Sequence, residues 1–293
     1  MKPKLSVIIA SYNAESTIKA CLQSLYHQGE GHSCEIIVVD SSSDKTPEIV
    51  ATYFPHVRLF HFGERKYCGE ARNVGISKSK ADIVAFIDAD CKADKNWIQE
   101  ILKAHQSQIK AFGGPIDMAN PNSYVGWAAY FCEFSQWIPG TPPGWMDDIA
   151  GANMSYKKAL FRDHGSYIKG TYCSDTHFHW RLAQEGTLLR FVPSIVVSHH
   201  NIDKLDRFIK HEFFHGRCFA RVRSQSKHLS VWKKFLYASL APLISFRIMA
   251  KIAENNLRNR IYLNQFIKSL PLLKLGILCW SIGEAFGYMD GKS

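Results

Sequence analysis

The chain has 293 residues, 46% of them hydrophobic and 21% charged, with a net charge of +10. That composition describes a globular protein long enough for one large or two modest domains, and it excludes wholesale disorder. Single cysteines at 21, 34, 68, 91, 132, 173, 218 and 279 form no CxxC pair. Met1-Lys-Pro-Lys4 runs straight into a strand-like segment, so the thiols are expected to be reduced in a cytosolic chain without a secretory leader.

Leu5 to Ala10 reads as a buried strand, and Glu15 to Tyr26 as a helix with Ile18, Cys21, Leu22 and Leu25 on one face. Glu35 to Asp40 is a second buried strand, followed by a serine-rich turn and a helix from about Thr46. Val57 to Phe62 is a third strand, and Ala81 to Asp88 a fourth, with a helix from about Asn96 to Gln106. The alternation predicts an α/β fold, a Rossmann-like, mostly parallel sheet with helices on both faces. Ligands of such sheets sit beyond the carboxyl ends of the strands, which picks out Asp40 and Asp88. From about Trp127 to Asp148 the pattern breaks into Trp, Pro and Gly, suggesting a shaped surface loop. A helix near Asp175 to Glu185 and a strand at Leu189 to Val197 complete a first domain of residues 1–204.

Residues 205–293 are helical, basic and aromatic. Between Lys204 and Arg260 there are 13 Lys/Arg against Asp206, Glu212 and Glu254, so this segment holds the whole net charge. A basic block on an otherwise neutral chain calls for a local anionic partner. Phe235 to Phe246 has no charge, and Leu270 to Met289 has only Lys274 and Glu284; neither is a clean apolar span of about 20 residues. Amphipathic helices lying on an anionic membrane surface fit this pattern, with a tight hairpin or a helical lid as alternatives. Nucleic acid is set aside as the partner, because interleaved aromatics and cations suit a membrane interface equally and suit a lipid-linked substrate better.

Ile87-Asp88-Ala89-Asp90 carries the sharpest chemical signal. Two carboxylates at i and i+2 repel at a strand end, and a hard divalent cation holding phosphate oxygens resolves the repulsion. In this setting the chain resembles the family 2 glycosyltransferases with the GT-A fold, from Leu5 to about His200. The matching segments are Ser6 to Asn13, Val38 to Asp44, Gly69 to Gly75, the DxD strand, Gly113-Gly-Pro115, Gly151-Ala-Asn153, and Ser174-Asp175 followed by Trp180-Arg-Leu182.

The resemblance implies an inverting transfer of a sugar from a nucleotide diphosphate donor to a hydroxyl of a glycan or lipid-linked acceptor, in polysaccharide or glycolipid synthesis. It implies Mg²⁺ or Mn²⁺ as cofactor and the cytoplasmic face of the cell membrane as the location, peripheral or monotopic. By the same resemblance, Ser11 and Tyr12 would lie beside the base, Asp40 would accept a hydrogen bond from it, and Arg72 would approach the charged part of the nucleotide. Asp88 would hold the ribose or metal, Asp90 and His199 (or His200) would meet the metal, and Asp175 would be the general base. Trp145, Asp148, Asn153 and Arg181 would face the acceptor. The chain departs from the common pattern at Ser174, where the family usually has Glu, and in its short acidic turn before Asp44.

Other readings weigh less. A nucleotidyltransferase would need a Gly-rich, Arg-containing loop where Ala10 to Glu15 stands, and retention of Asp88, Asp90 and Asp175 argues against a non-catalytic binding protein. His177 and His179 read as helix-surface residues or acceptor contacts. His211-Glu-Phe-Phe-His215 matches the HExxH zinc pattern, but no third ligand follows at a suitable spacing, so it reads as part of a basic aromatic helix.

Overall fold

The computed structural model describes residues 2–29 and 34–290. The chain divides into two compact units: Met1–Ala119 with Thr141–Gly170 and Ser174–His200, and Asn120–Gly140 with Thr171–Cys173 and Asn201–Ser293. The second unit therefore takes in residues 120–140 and 171–173 besides the C-terminal segment.

The first unit opens with β1 (Leu5–Ser11), α1 (Ile18–Gly29), β2 (Cys34–Asp40), α2 (Thr46–Tyr53), β3 (Arg58–His61), α3 (Cys68–Lys78) and β4 (Ile83–Ile87). β5 (Cys91–Ala93), α4 (Trp97–Ala104), β6 (Ala111–Gly113) and β7 (Ile116–Met118) follow, before α5 (Tyr124–Phe134) of the second unit. The chain returns with β8 (Gly144–Met146), β9 (Asn153–Lys157), α6 (Ala159–Asp163), α7 (Ser174–Gln184), β10 (Leu189–Phe191) and β11 (Val197–His199). Eight strands form one sheet in the order β3-β2-β1-β4-β9-β6-β10-β8, and β5-β11-β7 form a second.

Val7, Ile8 and Ile9 of β1, Ile37 to Val39 of β2 and Val84 to Ile87 of β4 are all buried. Helices covering both faces leave no polar side to such strands, which is why they read as unbroken apolar runs. Each fully buried Ile or Leu contributes about 1.5–3 kcal/mol through the area it removes from water. The larger sheet is parallel through β3-β2-β1-β4 and β6-β10, but β9 runs antiparallel to both β4 and β6, and β8 to β10. The single strand expected at Leu189 to Val197 is two, β10 and β11, which join different sheets.

The second unit holds α5, α8 (Leu205–Ser226), α9 (Val231–Asn259) and α10 (Leu263–Met289). Residues 127–134, expected within a surface loop, belong to α5 instead. Ser123 caps it by accepting from the Gly126 N–H at 2.9 Å, and Trp127 to Phe131 are buried. Apolar residues on every side leave no helical period to read, so burial, not amphipathicity, defines this helix. α8 and α10 meet backbone to backbone. A Cβ on Gly216 would lie 2.0 Å from the Trp280 carbonyl oxygen, and one on Gly283 would lie 1.9 Å from that of Phe213. Leu273, Ile277 and Glu284 of α10 are accordingly buried, so Leu270 to Met289 has a packed face. Burial, with the Glu133 charge adding to it, pushes the Glu212 carboxyl of α8 up to about 8.

α10 is the one helix among the described residues long and apolar enough by itself to cross a membrane, judged by length and composition. α9 is bent by 62° between Val231–Ala241 and Leu243–Asn259.

His105, at the end of α4, is 7% exposed, stacks edge-on against Phe112 and places Nε2 3.0 Å from Ser155 Oγ. Burial, helped by the Lys157 charge, lowers its pKa to about 4. The unfolded chain then binds a proton that the folded chain refuses, so stability is full above about 6.5 and falls as pH drops from there to about 4. The loss assignable to this side chain over that window is about 3 kcal/mol. Denaturant unfolding at pH 7 and pH 4.5 should show it, and His105→Asn should flatten the difference.

Candidate active site

The parallel register of β1 and β2 sets Ser11 opposite Asp40, at the carboxyl edge of the sheet. The turn after β1 is tied to the turn after β2 by polar links. Asn13, in the left-handed region at φ 51°, donates its N–H to Ser42 Oγ at 2.7 Å and accepts from the Ser43 N–H at 2.9 Å. Asp44 accepts from the Glu15 N–H at 3.1 Å and caps α2 through the Thr46 N–H at 3.0 Å.

Asp40 is fully buried; its carboxylate accepts from the Ser42 N–H and hydroxyl and from His61 Nδ1, the last at 2.7 Å. Its acceptor positions thus organise the 41–44 turn, where sequence alone placed them on a bound base. Ser11 Oγ is buried and meets no hydrogen-bond partner among the described residues. Tyr12 beside it is 42% exposed, with the Arg65 guanidinium 4.3 Å above its ring. Arg65 lies in an irregular loop after β3, and no sequence pattern singled it out.

Arg72, on α3, is buried, although the resemblance placed it at the nucleotide. It donates to Asp88 Oδ1 at 2.7 Å. Burial opposes its charge, but Asp88 and Asp175 more than offset that, and the guanidinium is held above its ordinary value. Asp175 stands in the first turn of α7, where the helix dipole favours an anion, and accepts from the Gly151 N–H at 2.8 Å. A Cβ on Gly151 would come within 2.5 Å of Arg72 Nη1 and 2.6 Å of Asp175 Oδ2. Asp88, Arg72, Gly151 and Asp175 therefore form one continuous string, and the glycine is the spacer that lets it close.

On the other side of the DxD turn, β11 pairs antiparallel with β5, setting His199 opposite Cys91. His199 Nε2 lies 3.4 Å from Asp90 Oδ1, and Asp90, Cys91 and His199 each bring a ligand atom within 4.8 Å of the others. Burial, with the Asp90 and Asp88 charges adding to it, raises the Cys91 thiol well above its ordinary range. An oxygen and an imidazole donor, beside a half-buried second carboxylate, fit a divalent cation. His200 is exposed, and only its backbone N–H meets Asp90.

The four residues expected at the acceptor do not gather. Asn153 is fully buried and saturated: it accepts from Trp97 Nε1 at 2.8 Å and donates to the carbonyls of Pro115 and Ile195. It knits the sheet and offers nothing to a substrate. Arg181 Nη2 donates to the carbonyls of Gly165 and Ser166, holding the loop before α7. Asp148 accepts from His179 Nδ1 at 2.6 Å, and His179 Nε2 accepts from the Tyr156 hydroxyl. His179 is thus a buried link and not the helix-surface residue the sequence suggested. Trp145, on edge strand β8, is 54% exposed with Arg190 over its ring.

Residues 6–165 match the family model described as Glycosyl transferase family 2. The chain is 32% identical over 207 residues to the glycosyltransferase AglE of Haloferax volcanii, covering 67% of each protein. It is 33% identical over 104 residues to the putative glycosyltransferase EpsH of Bacillus subtilis, spanning 30% of that protein's length. Among solved structures, the mannosyltransferase PcManGT of Pyrobaculum calidifontis, in complex with GDP-Man and Mn²⁺, superposes with a TM-score of 0.62 at 18% identity. That match covers 97% of this chain and 87% of the mannosyltransferase.

Because a methyl group at position 151 must displace Arg72 or Asp175, Gly151→Ala should cost about 1–3 kcal/mol of stability. Gly144→Ala, with nothing within 4 Å of its Cβ, should be nearly neutral. Paired denaturant titrations check the contrast.

Proposed function

The chain belongs to glycosyl transferase family 2, and we propose that it moves a sugar from a nucleotide diphosphate to an acceptor hydroxyl, with inversion, at the carboxyl edge of β1, β2 and β4. The observation that carries this reading is the pairing of two separate devices around one DxD turn: Asp90 with His199 on one side, and Asp88, Arg72 and Asp175 on the other. Residues 1–204 would supply the catalysis, and residues 205–293 the approach to a membrane-borne acceptor.

Asp90 and His199 are the residues that would hold Mg²⁺ or Mn²⁺, and such an ion supplies Lewis-acid compensation for charge developing on a departing diphosphate. The Mn²⁺ in the mannosyltransferase complex supports the same cofactor class. Tyr12, its ring held under Arg65, is a surface for a nucleotide base, and the unsatisfied Ser11 hydroxyl is a hydrogen-bonding group beside it. Asp40 acts at one remove by fixing the turn.

The acceptor oxygen attacks the anomeric carbon from the face opposite the diphosphate. The new C–O bond forms as the bond to the phosphate oxygen breaks. Asp175 takes the hydroxyl proton as that bond forms, a task suited to a carboxylate already oriented by the Gly151 N–H. Arg72 positions Asp88 and adds positive charge beneath the site, while Trp145 is an exposed ring on which a sugar face can stack.

Acceptor-dependent release of nucleoside diphosphate should fall by about 10²–10⁴-fold in Asp175→Asn, with donor affinity kept. In Asp90→Asn, the stimulation by added Mn²⁺ should disappear. Near wild-type rates in both variants would remove this site assignment.

The exposed rings and cations of the helical unit support a peripheral membrane association. α9 exposes Val231, Trp232, Phe235, Leu236, Leu243 and Phe246, with Lys233 and Arg247 exposed among them. Cosedimentation with anionic vesicles should weaken about tenfold or more in Trp232→Ser/Phe235→Ser and decline with salt. Binding that ignores both changes would favour α9 as a soluble helix.

A further inference from the structure

Upstream of His211 lies a partner that its sequence neighbourhood does not contain. Glu133, at the end of α5, brings Oε1 to 3.2 Å from His211 Nε2. Glu133, His211 and Glu212 each contribute a ligand atom within 4.8 Å of the others, all inside the helical unit. Glu212 is 2% exposed, and its Oε1 meets no hydrogen-bond partner among the described residues. Two carboxyl groups here face one imidazole; with both ionised, a single imidazolium could balance only one of them, so the other needs a proton or a cation. Burying a charge without a counter-charge or hydrogen bonds is costly.

We propose that Glu133, His211 and Glu212 form a second divalent-cation site, whose ligands are all separate from Asp90 and His199. One imidazole nitrogen with two carboxylates is a borderline donor set that suits Zn²⁺ or a neighbouring first-row ion better than Mg²⁺ or Ca²⁺. Three protein ligands leave a coordination position for water. The His211 and Glu133 side chains retain 26% and 18% exposure, which gives an ion a way in.

This is not the geometry of an HExxH peptidase. There both histidines ligate and the glutamate stays off the metal. Here Glu212 is at ligand distance, while His215 lies beside His211, ring centroids 5.8 Å apart, and faces Trp280 edge-on. The Tyr172 ring also packs against that of His211, centroids 5.8 Å apart. An ion at this point cross-links α5 to α8 and neutralises the pair of carboxylates.

The test uses the full chain carrying Asp90→Asn, so that the first site does not bind. After chelation, one-equivalent Zn²⁺ loading and desalting, that protein should retain about one Zn²⁺ per chain by mass spectrometry, and added Zn²⁺ should raise its Tm. Adding His211→Gln or Glu212→Gln should weaken binding on the order of 100-fold or more and cancel the Tm rise. Glu133→Gln, on a different helix and partly exposed, guards against misfolding of the α8 variants. The intense visible bands of tetrahedral Co²⁺ should appear in the Asp90→Asn protein and vanish when Glu133→Gln is added. Zn²⁺ retention that is equal with and without the α5 and α8 substitutions would overturn the proposal, as would no retention in Asp90→Asn alone. The second result would mean that a proton, not a metal, bridges these groups. Either failure leaves the transferase assignment standing, since that is read from diphosphate release.

Discussion

The contact between Arg72 and Asp88 governs the architecture of the site. A guanidinium buried beneath a strand end is costly unless carboxylates surround it, and removing one partner of such a pair costs on the order of 3–5 kcal/mol. Asp88 takes one side of Arg72, and Asp175 approaches the other across the width of a glycine. The pair therefore does more than hold α3 to β4. It fixes the distance between the DxD turn and the first turn of α7, two segments 87 residues apart in sequence. Arg72 is a framework residue, buried between two carboxylates.

The same logic, polar groups consumed internally to hold a few others outward, runs through the rest of the unit. Asp40, Ser42 and His61 use their bonding capacity on one another, and Asn13 and Asp44 clip the first turn to the second. What remains outward is a short set: Tyr12 under Arg65, the Asp90–His199 pair, Asp175 and Trp145. The Asp148–His179–Tyr156 chain belongs to the internal class. A carboxylate can only accept, so Nδ1 of His179 carries a proton, and in the neutral imidazole Nε2 then receives the tyrosine hydroxyl.

How much of this was legible in the sequence follows from the kind of force involved. The strands β1, β2 and β4 announced themselves because burial on both faces demands β-branched apolar runs. Their terminal acids marked the carboxyl edge of the sheet, the edge at which such topologies place their ligands. The order of motifs also pointed to His199, which the structure sets 3.4 Å from Asp90. Asn153 and Arg72 were placed correctly along the chain but given outward roles, since no local pattern tells a saturated buried amide or guanidinium from a substrate contact. Arg65 left no signal at all: its position depends on a loop closing over Tyr12. α5 escaped because a helix apolar on nearly every side has no clear period, and with it went Glu133, the partner that joins the His211-Glu212 pair.

Charge in the helical unit separates along the same line. The sequence shows one undivided basic block, yet the structure spends part of it inside. Arg217 and Arg221 converge on Asp290 at 2.6–2.8 Å, and Arg223 lies over the Tyr237 ring and 3.7 Å from Glu284. These cations tie α8 to the end of α10. Lys233 and Arg247 on α9, exposed among Trp232, Phe235 and Phe246, are not spent in this way. A surface that offers rings and cations together is suited to the boundary between headgroups and acyl chains, where each finds its own solvent. The exposed basic and aromatic surface is thus narrower than the net charge suggested: it is one face of the bent helix α9.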